Sequence, residues 1–248
     1  MQHLAAYSAS NAAGAIDADT PAVPDAAITI SNNHFVFTTD FLIKGAYALG
    51  AALARAKIQT PKFRQTSNPY IRPIEIGAAP PTRPNFADYR LGPLKANRID
   101  ETAMLLSNSS GVAEREFALI WVDDGQTQHP QGDIYCVRGT AAVATVANVW
   151  ALGALTLDQT LPAGRYSVVG MSSWGAGLLA ARLVFPLQVW RPGVIAMPTE
   201  GLWTWDYFAR GAFGELGQFE SIAQPQVEFL ATVAGAAQEV YLDLIRVR

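Results

Sequence analysis

Leu161-Pro162-Ala163-Gly164-Arg165-Tyr166-Ser167-Val168-Val169-Gly170-Met171 decides how this chain is read. A Pro-Ala-Gly turn delivers the backbone into a run of β-branched and aromatic residues, which is the signature of a short strand entered from a tight loop. The same grammar repeats from Pro93 to the C-terminus. Predicted strands cover 101–106, 115–122, 133–137, 141–157 with a break, 166–171, 178–185, 194–197, 226–232 and 240–247. Between them stand turn signals such as Asn108-Ser109-Ser110-Gly111, Asp123-Asp124-Gly125, Arg191-Pro192-Gly193 and Gly235-Ala236-Ala237. Many short strands with little helix between them exclude βα-type enzymes and predict a mainly β protein, a β-sandwich or barrel.

Upstream the signals change. Residues 1–27 are rich in Ala, Ser and Asn, with no Lys or Arg and no continuous apolar block, so they read as a flexible N-terminal arm rather than a signal peptide. The stretch 28–38 has strand composition. Residues 40–54 are Ala- and Leu-rich and predict one short helix capped by Thr39 or Asp40, weakened at Gly45 and Gly50 by about 1 kcal/mol each. Seven prolines between Pro61 and Pro93 bar a helix or central strand through most of that stretch. The expected organisation is an arm (1–27), a first β-barrel or sub-domain (28–125) and a second (126–248). Two stacked barrels meeting between Gly125 and Gly132 and one large domain are both compatible with the length, and no internal sequence repeat is visible.

With 50% hydrophobic residues and a formal charge of −3 in 248 residues, the chain has ample material for a core. Cys136, the single cysteine, excludes an intramolecular disulfide and a cysteine zinc site and reads as a small buried hydrophobe. The uncharged run Gly139–Leu157 is long enough by count to cross a bilayer, but its threonines, Asn148 and valines read as buried β-structure.

No motif supplies catalysis. Asp17-Ala18-Asp19-Thr20 spells a phosphotransferase loop without the preceding buried strand that such chemistry needs. Glu114 and Glu116 share a strand face, as a glycosidase pair does, and also as a solvated strand edge does. His3, His34 and His129 have no metal-ligand spacing. The expectation is no enzyme, no cofactor and no metal. Two other features point outward. Arg55, Lys57, Lys62, Arg64, Arg72, Arg83, Arg90, Lys95 and Arg98 face only Glu75 and Asp88 within their segment, a net +7, with aromatics interleaved. Such a segment suits contact with nucleic acid, lipid head groups or acidic subunit faces, or pairing with acids elsewhere in the chain. Trp203 and Trp205 fall on one face of an extended segment, where a sugar could stack, so a carbohydrate-binding or adhesive β-sandwich is the alternative reading.

The strand series from Leu161 through Ala181-Arg182-Leu183-Val184-Phe185 to Trp190-Arg191-Pro192-Gly193, with the closing segment Val240-Tyr241-Leu242-Asp243-Leu244-Ile245-Arg246-Val247-Arg248, resembles the jelly-roll major capsid proteins of icosahedral viruses, particularly small tailless phages. The resemblance is one of organisation across 28–248. It implies one or two jelly rolls, self-assembly into homo-oligomers such as trimers, a place in a virion shell put together in the host cytoplasm, and other virion proteins, nucleic acid or an internal membrane as partners. A charged fraction of 16% against about 25% in ordinary soluble domains agrees with surfaces that subunit contacts cover.

Overall fold

In the computed structural model the chain is all-β, with curled sheets and no helix among the described residues, which are 2–63, 68–72, 74–76, 87–126, 128–197, 214–235 and 238–247. It divides into two compact units: Leu4–Gly125, and Gln126–Arg248 together with Met1–His3.

The first unit uses β1 (Gln2–Asn11), β2 (Ala18–Thr20), β3 (Thr29–Ser31), β4 (His34–Val36), β5 (Phe41–Gly50), β6 (Leu53–Gln59), β7 (Glu75–Ile76), β8 (Ala87–Asp88), β9 (Leu94–Ala96), β10 (Glu101–Asn108) and β11 (Glu114–Asp123). One sheet runs β1-β11-β5, with β7, β8 and β9 also pairing to β5. In the other, β10 is central, flanked by β6 on one side and by β2 and the β3–β4 hairpin on the other. Tyr7 of β1 meets Phe35 of β4 edge-on at 5.1 Å, and Phe35, Phe37 and Phe41 continue the aromatic core.

Two expectations are corrected here. The arm expected to be flexible is a strand over residues 2–11, with Leu4 to Tyr7 wholly buried, and residues 18–20 form a second. The helix expected at 40–54 is β5 followed by β6. From Leu42 to Gly50, β5 is registered against β11, and its other edge carries β8 and β9. The backbone partners of a central strand outweigh the few tenths of a kcal/mol by which Ala prefers helix. The hairpin β3–β4 turns through Asn32 and Asn33, with φ of 49° and 69° between the paired Ser31 and His34. That is the two-residue primed turn, in which Asn tolerates the left-handed region. Asn33→Ala is expected to cost about 1 kcal/mol in denaturant unfolding, whereas Asn33→Gly is expected to be neutral.

The second unit contains β12 (Ile134–Ala141), β13 (Trp150–Ala154), β14 (Thr156–Leu157), β15 (Arg165–Trp174), β16 (Leu178–Val184), β17 (Gly193–Ile195), β18 (Gly217–Glu220), β19 (Gln226–Ala231) and β20 (Gln238–Val247). Its sheets are β14-β12-β20-β15-β18 and β13-β19-β16-β17. Tyr166 anchors the first sheet, between Tyr135 and Phe219, with its hydroxyl donating to the Pro162 carbonyl at 2.8 Å.

The two units repeat one strand order without repeating a sequence. In each, the first strand pairs with the last, the last with a middle strand, and that with a late short strand: β1-β11-β5-β9 and β12-β20-β15-β18. The opposing sheets correspond as well, β2-β10-β6 extended by the Lys57–Tyr70 bridge, and β13-β19-β16-β17. Equivalent strands therefore place equivalent loops at each end of a unit.

Candidate assembly surface

At one end of each unit the loop before the last strand sits between two others and is hydrogen-bonded to both. In the first unit the Ser110 carbonyl accepts from Gly14 N–H, the Ala15 carbonyl from Asn108 N–H, and the Ala52 carbonyl from Ser109 N–H. In the second, Thr145 Oγ1 donates to the Val233 carbonyl and accepts from Gly235 N–H, while Thr232 N–H donates to the Gly177 carbonyl. These loops are held, yet their tips are apolar and exposed: Ile16 and Val112 in the first unit, Val146, Val149 and Val233 in the second. The opposite end repeats the pattern, with exposed Ile99 before β10 and exposed Ile222 before β19, joined by Leu187 and Val189. Apolar residues on loops that the backbone already fixes lose little entropy when a partner covers them.

The basic segment divides in two. Arg55 and Lys57, side by side on β6, both bind Asp17, at 3.0 and 2.6 Å. Burial pushes the Asp17 carboxyl up, but hydrogen bonds from Lys57 and Ser107 and the charges of Lys57 and Arg55 together outweigh it, so it sits below the usual carboxylate range. Arg90 grips Asp88 with two parallel bonds of 2.9 and 2.8 Å. Pairing within the chain therefore accounts for these three. Lys62, Arg72, Lys95 and Arg98 are exposed and make no ion pair among the described residues, Arg72 lying 5.7 Å from the Tyr70 ring centre. Arg64 and Arg83 lie outside the described residues, as do Trp203 and Trp205 of the stacking platform.

The remaining sequence candidates have structural places. Asp17 and Asp19 sit at the start of β2, Asp17 held by its bases and Asp19 by His34. Glu116 is wholly buried on β11, a strand paired on both sides, so it is no solvated edge. Its Oε2 accepts from Asn11 Nδ2 at 2.5 Å while Oε1 has no hydrogen-bond partner among the described residues. Asp123 accepts from Gly125 N–H and pairs with Lys44 at 3.0 Å, closing the turn with Gly125 at φ 83°. Cys136 is exposed rather than buried, its thiol donating to Asp243 Oδ1 at 2.9 Å across the β12–β20 pair.

Sequence reasoning missed two clusters. In the second unit Glu228 of β19 receives Arg182 Nε at 2.5 Å on one oxygen and Arg191 Nη1 on the other, and the Arg182 guanidinium lies 4.0 Å from the Trp150 ring centre. In the first, His34 stands between two carboxylates, with Nε2 2.9 Å from Asp19 and Nδ1 3.3 Å from Glu101. Comparison with protein-family models, curated proteins and solved structures gives no match.

Proposed function

We propose that this protein is a structural subunit of a self-assembling shell, a capsid protein built from two jelly rolls in tandem. The strand orders β1-β11-β5-β9 over β2-β10-β6 and β12-β20-β15-β18 over β13-β19-β16-β17 are the order of a jelly roll, and this supports the finer reading of the fold. The observation that carries the function is the repetition of exposed apolar tips on equivalent loops: Ile16 with Val146, Val112 with Val233, Ile99 with Ile222. A chain that presents one kind of apolar contact twice, on two units of one topology, suits a closed lattice in which every unit meets similar neighbours. Trimers that imitate a hexagonal tile answer that description, and the exposed Lys62, Arg72, Lys95 and Arg98 offer phosphates or acidic neighbours a counter-charge.

Light scattering with negative-stain microscopy across salt concentrations tests the reading. Oligomers, tiles or closed particles are expected, weakening with salt where the basic residues contribute. Val146→Asp combined with Val233→Asp is expected to abolish assembly while changing monomer stability by less than about 0.5 kcal/mol, because both side chains are exposed. A wild-type chain that stays monomeric at every concentration, salt and pH overturns the proposal.

A further inference from the structure

The acidic side of His34 opens onto a cavity of about 380 Å³ in the first unit, lined by Asp19, His34, Gln59, Thr60, Asp100 and Glu101, with Pro61, Ile99, Ala103 and Leu105 as its apolar wall. Two carboxylates, Asp19 and Glu101, thus meet one imidazole while Asp100 lines the same cavity, and among the described residues none of the three pairs with a lysine or arginine. Lys62 and Arg98 adjoin this wall in sequence, but both are exposed and make no ion pair with those acids. Among the described residues Asp19 has only His34 as a side-chain partner; Glu101 also accepts from Asn32 at 2.8 Å and Ser31 at 3.3 Å, and Asp100 accepts from Asn97 at 3.2 Å. Independently of the acids, the Thr60 hydroxyl is buried, at 1% exposure, without a hydrogen-bond partner among the described residues, and Thr60 lines the same cavity. A buried hydroxyl left unbonded costs about 1–3 kcal/mol, which a ligand bearing N–H donors recovers.

We infer that this cavity is a binding site for an organic cation, a primary ammonium or guanidinium group on an apolar stem. Charge selects a cation, and the unbonded Thr60 oxygen selects one that donates hydrogen bonds. The space is that of a small-molecule pocket rather than of a bare ion, and no group of three His, Cys, Asp or Glu among the described residues is arranged to hold a metal. The wall of Pro61, Ile99 and Leu105 accepts the stem. Ile99 adds a sign of use: a β-branched residue at φ 69° is strained, and here it is also exposed at the mouth of the cavity. The cation can arrive free, as a polyamine does, or on a Lys or Arg side chain of a second copy.

Calorimetric titration of the full-length protein with agmatine, against choline at equal ionic strength, tests this. Agmatine is expected to bind saturably and at least about tenfold tighter than choline, which carries charge but no N–H donor. Thr60→Val, which leaves the His34 bridges in place, is expected to weaken agmatine about fivefold, and Asp19→Asn with Glu101→Gln to remove binding while the far-ultraviolet spectrum is retained. Light scattering in the same titration separates the sources. A fall in particle mass at saturation assigns the natural cation to a neighbouring copy, and constant mass assigns it to a free amine, the site standing in both cases. Agmatine binding no tighter than choline, or binding undiminished in both variants, overturns the inference.

Discussion

Glu228→Ala is expected to destabilise the second unit by about 3–5 kcal/mol, a large share of the roughly 5–15 kcal/mol that holds a domain together. Arg182 has no exposed surface, and its Nε donates to Glu228 at 2.5 Å while its guanidinium stacks on Trp150 at 4.0 Å. Guanidinium does not give up its proton in proteins, so removing the carboxylate leaves a buried charge that cannot neutralise itself. Arg191, which shares Glu228, keeps some access to water and tolerates the loss better. Arg182, deprived of this carboxylate, therefore carries most of the effect. The companion variant, Arg182→Met with Glu228→Leu, removes both charges and fills the volume, and is expected to recover most of the loss. Urea unfolding of the three proteins at one pH is the measurement. A Glu228→Ala loss below about 1 kcal/mol would mean that Arg182 finds water or another acceptor once its partner is gone.

What the sequence discloses of this fold follows strand composition and the turns that bracket each strand. The strands at 166–171, 178–185, 226–232 and 240–247 are rich in β-branched and aromatic residues and end in Gly- or Pro-bearing turns, so their register of turns and strands is legible residue by residue. β1 and β5 are not: β1 has no β-branched residue, β5 has only Ile43, and no Gly- or Pro-bearing turn leads into β5. Eight of the ten residues of β1 and of β5 are buried, and a strand covered on both faces needs no polar alternation. Small side chains fill such positions, and Ala-Ala-Tyr-Ser-Ala or Ala-Tyr-Ala-Leu-Gly then imitates a lead-in or a helix. Only the pairing with β11 distinguishes them, and pairing is a property of distant residues. The same holds for the candidate site. His34 is 15 positions from Asp19 and 67 from Glu101, and strand pairing around β10 alone assembles the three. Both tandem units were similarly silent as a repeat: topology recurs where strand lengths and turns recur, while side chains diverge freely as long as the cores fill.

Glu116→Gln is expected to stabilise the first unit at neutral and alkaline pH. Burial is the largest influence on this carboxyl and raises it above the usual carboxylate range, the neighbouring charge of Glu114 adds to the rise, and the hydrogen bond from Asn11 opposes it. A carboxyl whose folded-state pKa exceeds its unfolded value holds its proton more tightly when folded. Its favourable contribution is then complete below the unfolded pKa and is lost as pH rises through the folded pKa, where a charge must form beside Asn11 with Oε1 unsatisfied. Glutamine keeps the acceptor for Asn11, matches the shape of the protonated acid, and cannot ionise. Wild type and variant should therefore coincide near pH 4 and diverge as pH rises, the variant gaining about 1–3 kcal/mol by pH 8. Denaturant unfolding at pH 4, 6 and 8 checks this, and a difference that shrinks with rising pH, or a variant weaker throughout, would show that the charged form is the one the fold accommodates. Gly50 explains why the site is so confined: a Cβ there would stand 2.9 Å from Glu116 Cγ, so β5 presses its barest residue against the carboxyl that the fold prefers neutral.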